Sequence, residues 1–274
     1  YETMDFYVLY NRFLKKEGYQ TLPRRPLEKR KLRYEDVYPV LYLKYRLSRQ
    51  AERSNIKHLV IDEMQDYSRL QYLIIRRMFS CKMTILGDRA QTMADQQQDV
   101  LQFLPGIFGK DLRRIEMRKS YRNTVEIASY AANLIGVTDL ELFERHGMPV
   151  LERDVTDLEA ALREAVDTLF SDEKTYETAA VIVPDEKTAE RAYLILREIL
   201  AEKDFDCGKR LSWLNRDSSS FKKGLTVTTF YLAKGLEFDQ VFSIFPKEEK
   251  REMMMQAQYI AATRALHELR VYHI

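Results

Sequence analysis

"HLVIDEMQDYSRLQ", residues 58–71, sets a short apolar run, His58–Ile61, directly against three carboxylates and a glutamine, Asp62, Glu63, Asp66 and Gln65. A strand running into a polar turn would by itself leave acidic residues at its end. Their order carries more. In nucleotide-hydrolysing α/β proteins a carboxylate at the carboxyl end of a strand holds Mg²⁺, often through water, because a hard cation takes oxygen ligands and sits beside phosphates. Adjacent strand residues point to opposite sides, so Asp62 and Glu63 can divide metal binding from general-base work on an attacking water.

Composition sets the frame around this stretch. A chain of 274 residues, 45% hydrophobic and 31% charged, can bury a core and is long enough for one large or two medium domains. No run approaches the roughly 18 apolar residues of a membrane span, and the opening "YETMDFYVLY" lacks the basic-then-apolar layout of a secretory signal. The expected setting is cytoplasmic, with no membrane partner. Cys81 and Cys207 form neither a disulfide framework nor a CxxC pair and read as ordinary residues of a reducing compartment. A formal net charge of +2 neither requires nor excludes nucleic acid, since a local groove matters more than the total.

Apolar strand-like runs alternate with helical periodicity along the chain, the pattern of an α/β protein with mainly parallel sheets. Strands are expected at His58–Ile61, Met83–Leu86, Leu112–Glu116, Ala179–Val183, Leu225–Thr229, Val241–Phe245 and Leu269–His273. Helices are expected at Val37–Gln50, Ser68–Phe79, Thr124–Ile135, Leu158–Phe170 and Thr188–Leu200. Pro105, Gly106 and Gly109 cluster without periodicity and mark the best internal boundary. The expected organisation is a helical lead-in over 1–50, an α/β unit over 51–111 and a second over 112–274. The densest basic run, Arg24–Arg33, reads first as a solvated loop, and second as a contact for phosphates or an acidic partner.

Further signals follow in a fixed order. "ILGDRAQ", 85–91, is a second apolar strand ending in Gly-Asp with Gln91 on the turn. "KSYRN", 119–123, places an aromatic beside an arginine at the start of a helix, where free N–H groups favour a phosphate. "TVTTFYLAKGLEFDQVF", 226–242, joins two strands through Lys234, Gly235 and Glu237, and "QYIAATRAL", 258–266, places Arg264 one helical turn beyond Tyr259–Ala261.

Together these segments resemble five ordered motifs of the UvrD/Rep-type superfamily 1 helicases: DEMQD the second, GDRAQ the third, SYRN the fourth, TTFYLAKGLEF the fifth and QYIAATRA the sixth. "YEDVYPVLYLKYRL", "FERHGMPV" and "YIAATRALHEL" further resemble the HelD-type branch, helicase-like factors associated with RNA polymerase. The resemblance implies RecA-like motor domains that use ATP and Mg²⁺. It assigns Asp62 to the metal, Glu63 to the attacking water, and Gln65 and Gln91 to sensing the γ-phosphate, since an amide both donates and accepts. It gives Tyr121 the adenine to stack on, and makes Arg122 and Arg264 arginine fingers that neutralise charge on the equatorial oxygens. Glu237 would accept from a ribose hydroxyl or brace the nucleotide, with Gly235 beside it in the same turn. Without the resemblance, Tyr121 reads as a helix-packing aromatic and Glu237 as a surface charge.

The sequence holds no GxxxxGK[ST] loop; Gly208-Lys209 and Lys234-Gly235 lack its remaining parts. In the family that loop lies upstream of the second motif. The chain is therefore expected to be the carboxyl-terminal part of a longer motor, with a partial first domain and a complete second one, and to be inactive alone. Two departures bear on function. After Gln91 comes "TMADQQQ", 92–98, with no aromatic to stack on a base, and Tyr231 stands where a His is usual. A stacked base contributes about 1–3 kcal/mol in strand-binding proteins, so processive unwinding is in question while ATP chemistry is not. Three readings stay open: a monomeric helicase or translocase on single-stranded or duplex DNA, a factor that uses the same ATP switch to remodel RNA polymerase, and a pseudo-motor that only scaffolds.

Overall fold

The computed structural model describes residues 5–48, 55–88, 91, 99–109, 112–117, 119–138, 141–171, 176–203, 210–218, 223–247 and 252–274. The chain divides into two compact units, 1–114 and 115–274.

Unit 1 opens with α1 (Phe6–Lys16), whose first turn is capped by Asp5 accepting from the N–H groups of Tyr7 (3.1 Å) and Val8 (3.2 Å). Tyr7, Tyr10 and Leu14 recur at helical spacing, so one face is apolar and buries them against Leu22. The next helix, α2 (Tyr34–Leu47), packs on α1, and Asp36 is buried there with a partner on each oxygen: the Tyr10 hydroxyl at 2.9 Å and Arg33 Nε at 3.0 Å. Burial, with that Asp36 contact next, pushes the Tyr10 hydroxyl up to about 12. This helix begins at Tyr34 rather than the expected Val37, because Glu35 and Asp36 suit the positive end of a helix. The basic run is an exposed loop apart from a 3₁₀ turn at Leu27–Lys29, with Arg30 paired to Asp5 at 2.8 Å.

Two parallel strands follow, β1 (His58–Ile61) and β2 (Lys82–Ile85), with Ile61 beside Ile85. They are linked through α3 (Arg69–Met78). Ser68 and Gln71 make its capping box, Ser68 Oγ accepting from Gln71 N–H (3.3 Å) and Gln71 Oε1 from Ser68 N–H (2.7 Å). Pro105 and Gly106, expected as turn formers without periodicity, lie instead inside a helix, α4 (Val100–Phe108). Packing outweighs propensity here. Val100 and Leu104 are buried, and the rings of Phe103 and Phe108 lie 5.9 and 6.3 Å from that of Tyr72. The expected strand Leu112–Glu116 is an irregular exposed segment, with Ile115 85% exposed. Its apolar residues do not alternate, so it offers no face to bury.

Unit 2 contains β3 (Lys119–Ser120), α5 (Val125–Leu134), β4 (Glu141–Leu142), β5 (Leu151–Asp154), α6 (Leu158–Ser171), β6 (Thr178–Val183) and α7 (Glu186–Ala201). It continues with β7 (Leu211–Trp213), β8 (Gly224–Thr229), β9 (Phe238–Phe245), α8 (Glu252–Ala262) and β10 (Ala265–His273). Six strands form one sheet, ordered β5-β10-β9-β6-β8-β7 and parallel at every pairing. This is the α/β architecture with mainly parallel sheets that the alternating pattern predicts. Both faces are covered, which is why strands such as "TAAVIV" read as unbroken apolar runs. Ala179, Val181 and Val183 of β6 meet α6 and α7, while Ala180 and Ile182 meet α5 and α8. The short connection 230–237 recrosses the sheet on the second face, burying Phe230 and Ala233.

Candidate functional site

In unit 1 the ends of β1 and β2 lie side by side, and parallel sheets present ligand-binding residues at the carboxyl ends of their strands. The Met64 N–H donates to Leu86 O at 2.8 Å and the Leu86 N–H to Ile61 O at 2.8 Å, so residues 62–66 and 86–88, with Gln91, form one polar rim. Glu63 takes the left-handed conformation, φ 51 and ψ 50, and is the one non-glycine residue at positive φ among those described. Such a backbone costs on the order of 1–3 kcal/mol and clusters at functional sites. It corrects one detail of the sequence reading. Asp62 and Glu63 both lie past Ile61, where β1 ends, so this turn, and not strand alternation, separates their side chains.

The Asp62 side chain is exposed; its Oδ1 accepts from the Glu63 N–H at 2.8 Å, and its other oxygen has no partner among the described residues. A carboxylate oxygen is the kind of ligand a hard cation takes, and among the described residues no group of three or more such ligands stands together. Gln65 is 6% exposed, its Nε2 donating to Glu63 Oε2 and its Oε1 accepting from the Asp88 N–H at 3.2 Å. Gln91, also buried, donates to Asp88 Oδ2 at 3.0 Å. Asp88 thus links the two glutamines, a part the sequence reading did not give it although "ILGDRAQ" carries it. Gly87 leaves them room: a Cβ there would lie 2.4 Å from Met64 Cγ, 2.5 Å from Gln65 Oε1 and 2.7 Å from the Met64 nitrogen. Residues 92–98, which follow Gln91, lie outside the described residues, as do Cys207, Gly208 and Lys209.

In unit 2 three segments distant in sequence close into a ring. Arg122 Nε pairs with Glu237 Oε1 at 2.7 Å, both side chains close to half exposed. Next to Glu237, Leu236 O accepts from Arg264 Nη1 at 3.4 Å, and the Phe238 N–H donates to Arg264 O at 2.9 Å. The buried Asn123 amide donates to Thr263 O (3.2 Å) and Ala265 O (2.6 Å), the carbonyls on either side of Arg264. Arg145 Nη2 donates to both Arg122 O and Leu266 O, the latter at 2.9 Å. Residues 122–123, 236–238 and 263–266 are thereby one hydrogen-bonded body.

The two arginines stand differently within it. Arg122 is near the surface, whereas Arg264 is 1% exposed and donates also to Ile260 O (3.2 Å) and Thr263 Oγ1 (3.1 Å). Glu237 meets Arg122 and not open solvent alone. Tyr121 is 60% exposed, with Phe143 at 5.7 Å and Lys119 Nζ 5.5 Å from its ring centre, so it is not the packed aromatic of the bland reading. Gly235 has φ +76 and open space around it.

The ring is braced by the first turn of α5. Glu126 Oε1 lies 2.9 Å from His146 Nδ1, and its Oε2 accepts from the Gly147 N–H at 2.8 Å. Burial works to raise the Glu126 carboxyl, but these bonds, those from its own N–H and from Thr124, hold it down at about 2. Because the folded value lies below the ordinary 4.5, the unfolded chain takes up the proton first. The stability Glu126 gives unit 2 is therefore complete above pH 4.5 and lost as pH falls to about 2. Thermal melts of wild type and Glu126→Gln should differ at neutral pH and converge through that window.

Two stretches of the chain match known families. Residues 2–93 match the UvrD/REP helicase N-terminal domain, and residues 224–272 match the UvrD-like helicase C-terminal domain. These two stretches, at opposite ends of the chain, are thus similar to the two domains of UvrD-like helicases. Among solved structures it is similar to the C-terminal domain of a possible DNA helicase from Lactobacillus plantarum WCFS1, at 24% identity and TM-score 0.44, covering 57% of this chain and 88% of that one. It is also similar to the PRRSV helicase (16% identity, TM-score 0.42, 79% of this chain, 35% of that one). A third match is the arterivirus nonstructural protein 10 helicase solved with DNA (14%, TM-score 0.44, 79% and 39%). The chain spans well under half of the two viral helicases. No curated protein matches it. Among the described residues no helix is long and apolar enough to cross a membrane.

Proposed function

We propose that this chain is the carboxyl-terminal motor portion of an ATP-dependent DNA helicase or translocase of the UvrD-like class, closest to the HelD-type branch. The observation that carries the reading is the ring, which gathers the segments resembling the fourth, fifth and sixth helicase motifs around Arg122 and Arg264. Unit 1 supplies the hydrolytic half of the chemistry. Asp62 would hold Mg²⁺, whose charge, when bound, offsets that on the phosphates. Glu63 takes a proton from the attacking water, and Gln65 keeps that carboxylate oriented from one side. Gln91, fixed through Asp88, senses the phosphate. Unit 2 supplies charge: Arg122 presents a planar donor fork suited to phosphate oxygens, Arg264 stands behind it as the second arginine, and Tyr121 offers an exposed ring to adenine. In this reading Glu237 holds Arg122 until a phosphate replaces it, and Gly235 gives the turn beside it room.

The test is Mg²⁺-dependent ATP hydrolysis by the full-length protein, with and without single-stranded DNA. Hydrolysis raised by DNA supports the motor. The stretch "TMADQQQ" favours a second reading, an ATP switch that remodels RNA polymerase without tracking a strand. Hydrolysis raised by polymerase and indifferent to DNA would select it. No hydrolysis under either condition would sink both.

A further inference from the structure

We infer that Asn123 and Arg145 are positioning residues that make the Arg122 and Arg264 segments move as one piece, so that a displacement of either arginine is carried to the other. This deepens the ATPase reading of the ring and rests on it. The argument starts from where their hydrogen bonds go. A buried amide must find partners, and Asn123 spends its Nδ2 on Thr263 O and Ala265 O, leaving its own helix α5 to be capped by Thr124. Arg145 likewise makes no ion pair among the described residues, although it carries a charge and is only half-buried; its Nη2 goes to Arg122 O and Leu266 O. Asn123 therefore bonds the carbonyls that flank Arg264, and Arg145 bonds the carbonyl of Arg122 and that of Leu266; none of these bonds goes to a guanidinium. Arg145 is in turn held in place, since its O accepts from the Val125 N–H at 2.9 Å and the adjoining His146 and Gly147 are tied to Glu126.

Bonding to main chain fixes where a segment lies without supplying charge. A misplacement of about 1 Å remote from the reacting atoms can cost about 100-fold in rate. Two variants remove the donors: Asn123→Asp, which keeps size but loses the N–H groups, and Arg145→Met, which keeps the stem and is less exposed to folding failure. Arg145→Lys retains a donor and should restore part of the loss.

Two measurements decide the matter. Hydrogen exchange of the full-length protein reads the clamp itself: each variant should speed exchange at residues 263–266 while leaving β6 unchanged. Turnover, normalised to folded protein, should fall about 100-fold with KM for ATP changed less than about threefold. In an Arg122→Lys background either substitution should cost less than it does in the wild type, because only the positioning of Arg264 is left to lose. Unchanged exchange at 263–266 in both variants overturns the clamp. Exchange that changes as expected in a protein without ATPase activity supports the clamp and removes the ATPase reading instead. A loss that simply adds to that of Arg122→Lys also overturns it.

Discussion

Glu63→Gln in the full-length protein is expected to lower ATP turnover by about 10²–10⁴-fold, the usual contribution of a positioned general base. The substitution nearly preserves size and leaves an oxygen for the Gln65 amide that now donates to Glu63 Oε2. It removes only the ability to take a proton. Metal binding should survive, since Asp62, held by the Glu63 N–H and not by its side chain, is untouched. ATP affinity measured by equilibrium binding should therefore stay within a few-fold of wild type, while steady-state hydrolysis collapses. Turnover close to wild type would show that Glu63 is not the base, and that its left-handed backbone serves only to turn the chain after β1.

The second large effect separates the two arginines. Arg122→Lys should cut kcat by about 10³-fold with little change in melting temperature, because an ammonium on a flexible stem cannot reproduce a planar fork that stabilises transition-state charge. Its present partner, Glu237, is close to half exposed, and such surface pairs are worth little. Arg264→Lys should reduce kcat on the same scale and also lower the melting temperature of unit 2. The guanidinium bonds Ile260 O, Leu236 O and Thr263 Oγ1 from a site 1% exposed, and losing two such charged hydrogen bonds costs about 3 kcal/mol. Equal kinetics for Arg122→Lys and wild type would remove Arg122 from the chemistry. A normal melt for Arg264→Lys would contradict the internal anchoring described above.

Long apolar runs made the sheet of unit 2 legible: the expected strands Ala179–Val183, Leu225–Thr229, Val241–Phe245 and Leu269–His273 all fall within observed strands. A strand buried on both faces has little freedom to be anything else. Short or edge elements were less visible. Leu211–Trp213 and Leu151–Asp154 form only as additions to strands already placed, and α4 depends on Tyr72 accepting its aromatic residues across a proline. The site followed the same division. Asp62, Glu63, Arg122 and Arg264 could be picked out by order and chemistry, and the positions of these residues are now known, while their roles await the substitutions above. Arg145 could not. Its partners are main-chain carbonyls, which every residue has, and no side-chain pattern marks which of them a distant guanidinium will reach. The burial of Arg264 was equally hidden, because "TRAL" reads the same whether its arginine faces water or the interior.

The place of β10 in the sheet has a consequence for biosynthesis. Among the described residues it is the last strand of the sheet in sequence but lies between β9 and β5, and it is the one partner of β5 there. On the ribosome, β5 emerges and must then wait for everything from α6 to α8 to be translated. At roughly 5–20 residues per second that delay is on the order of ten seconds. Over that interval Leu151 and its neighbours are an unpaired edge, the kind of surface that invites pairing with a second nascent chain. The charged side chains of Glu152, Arg153 and Asp154 then act before folding is complete, as a guard on a strand whose proper neighbour has yet to be made.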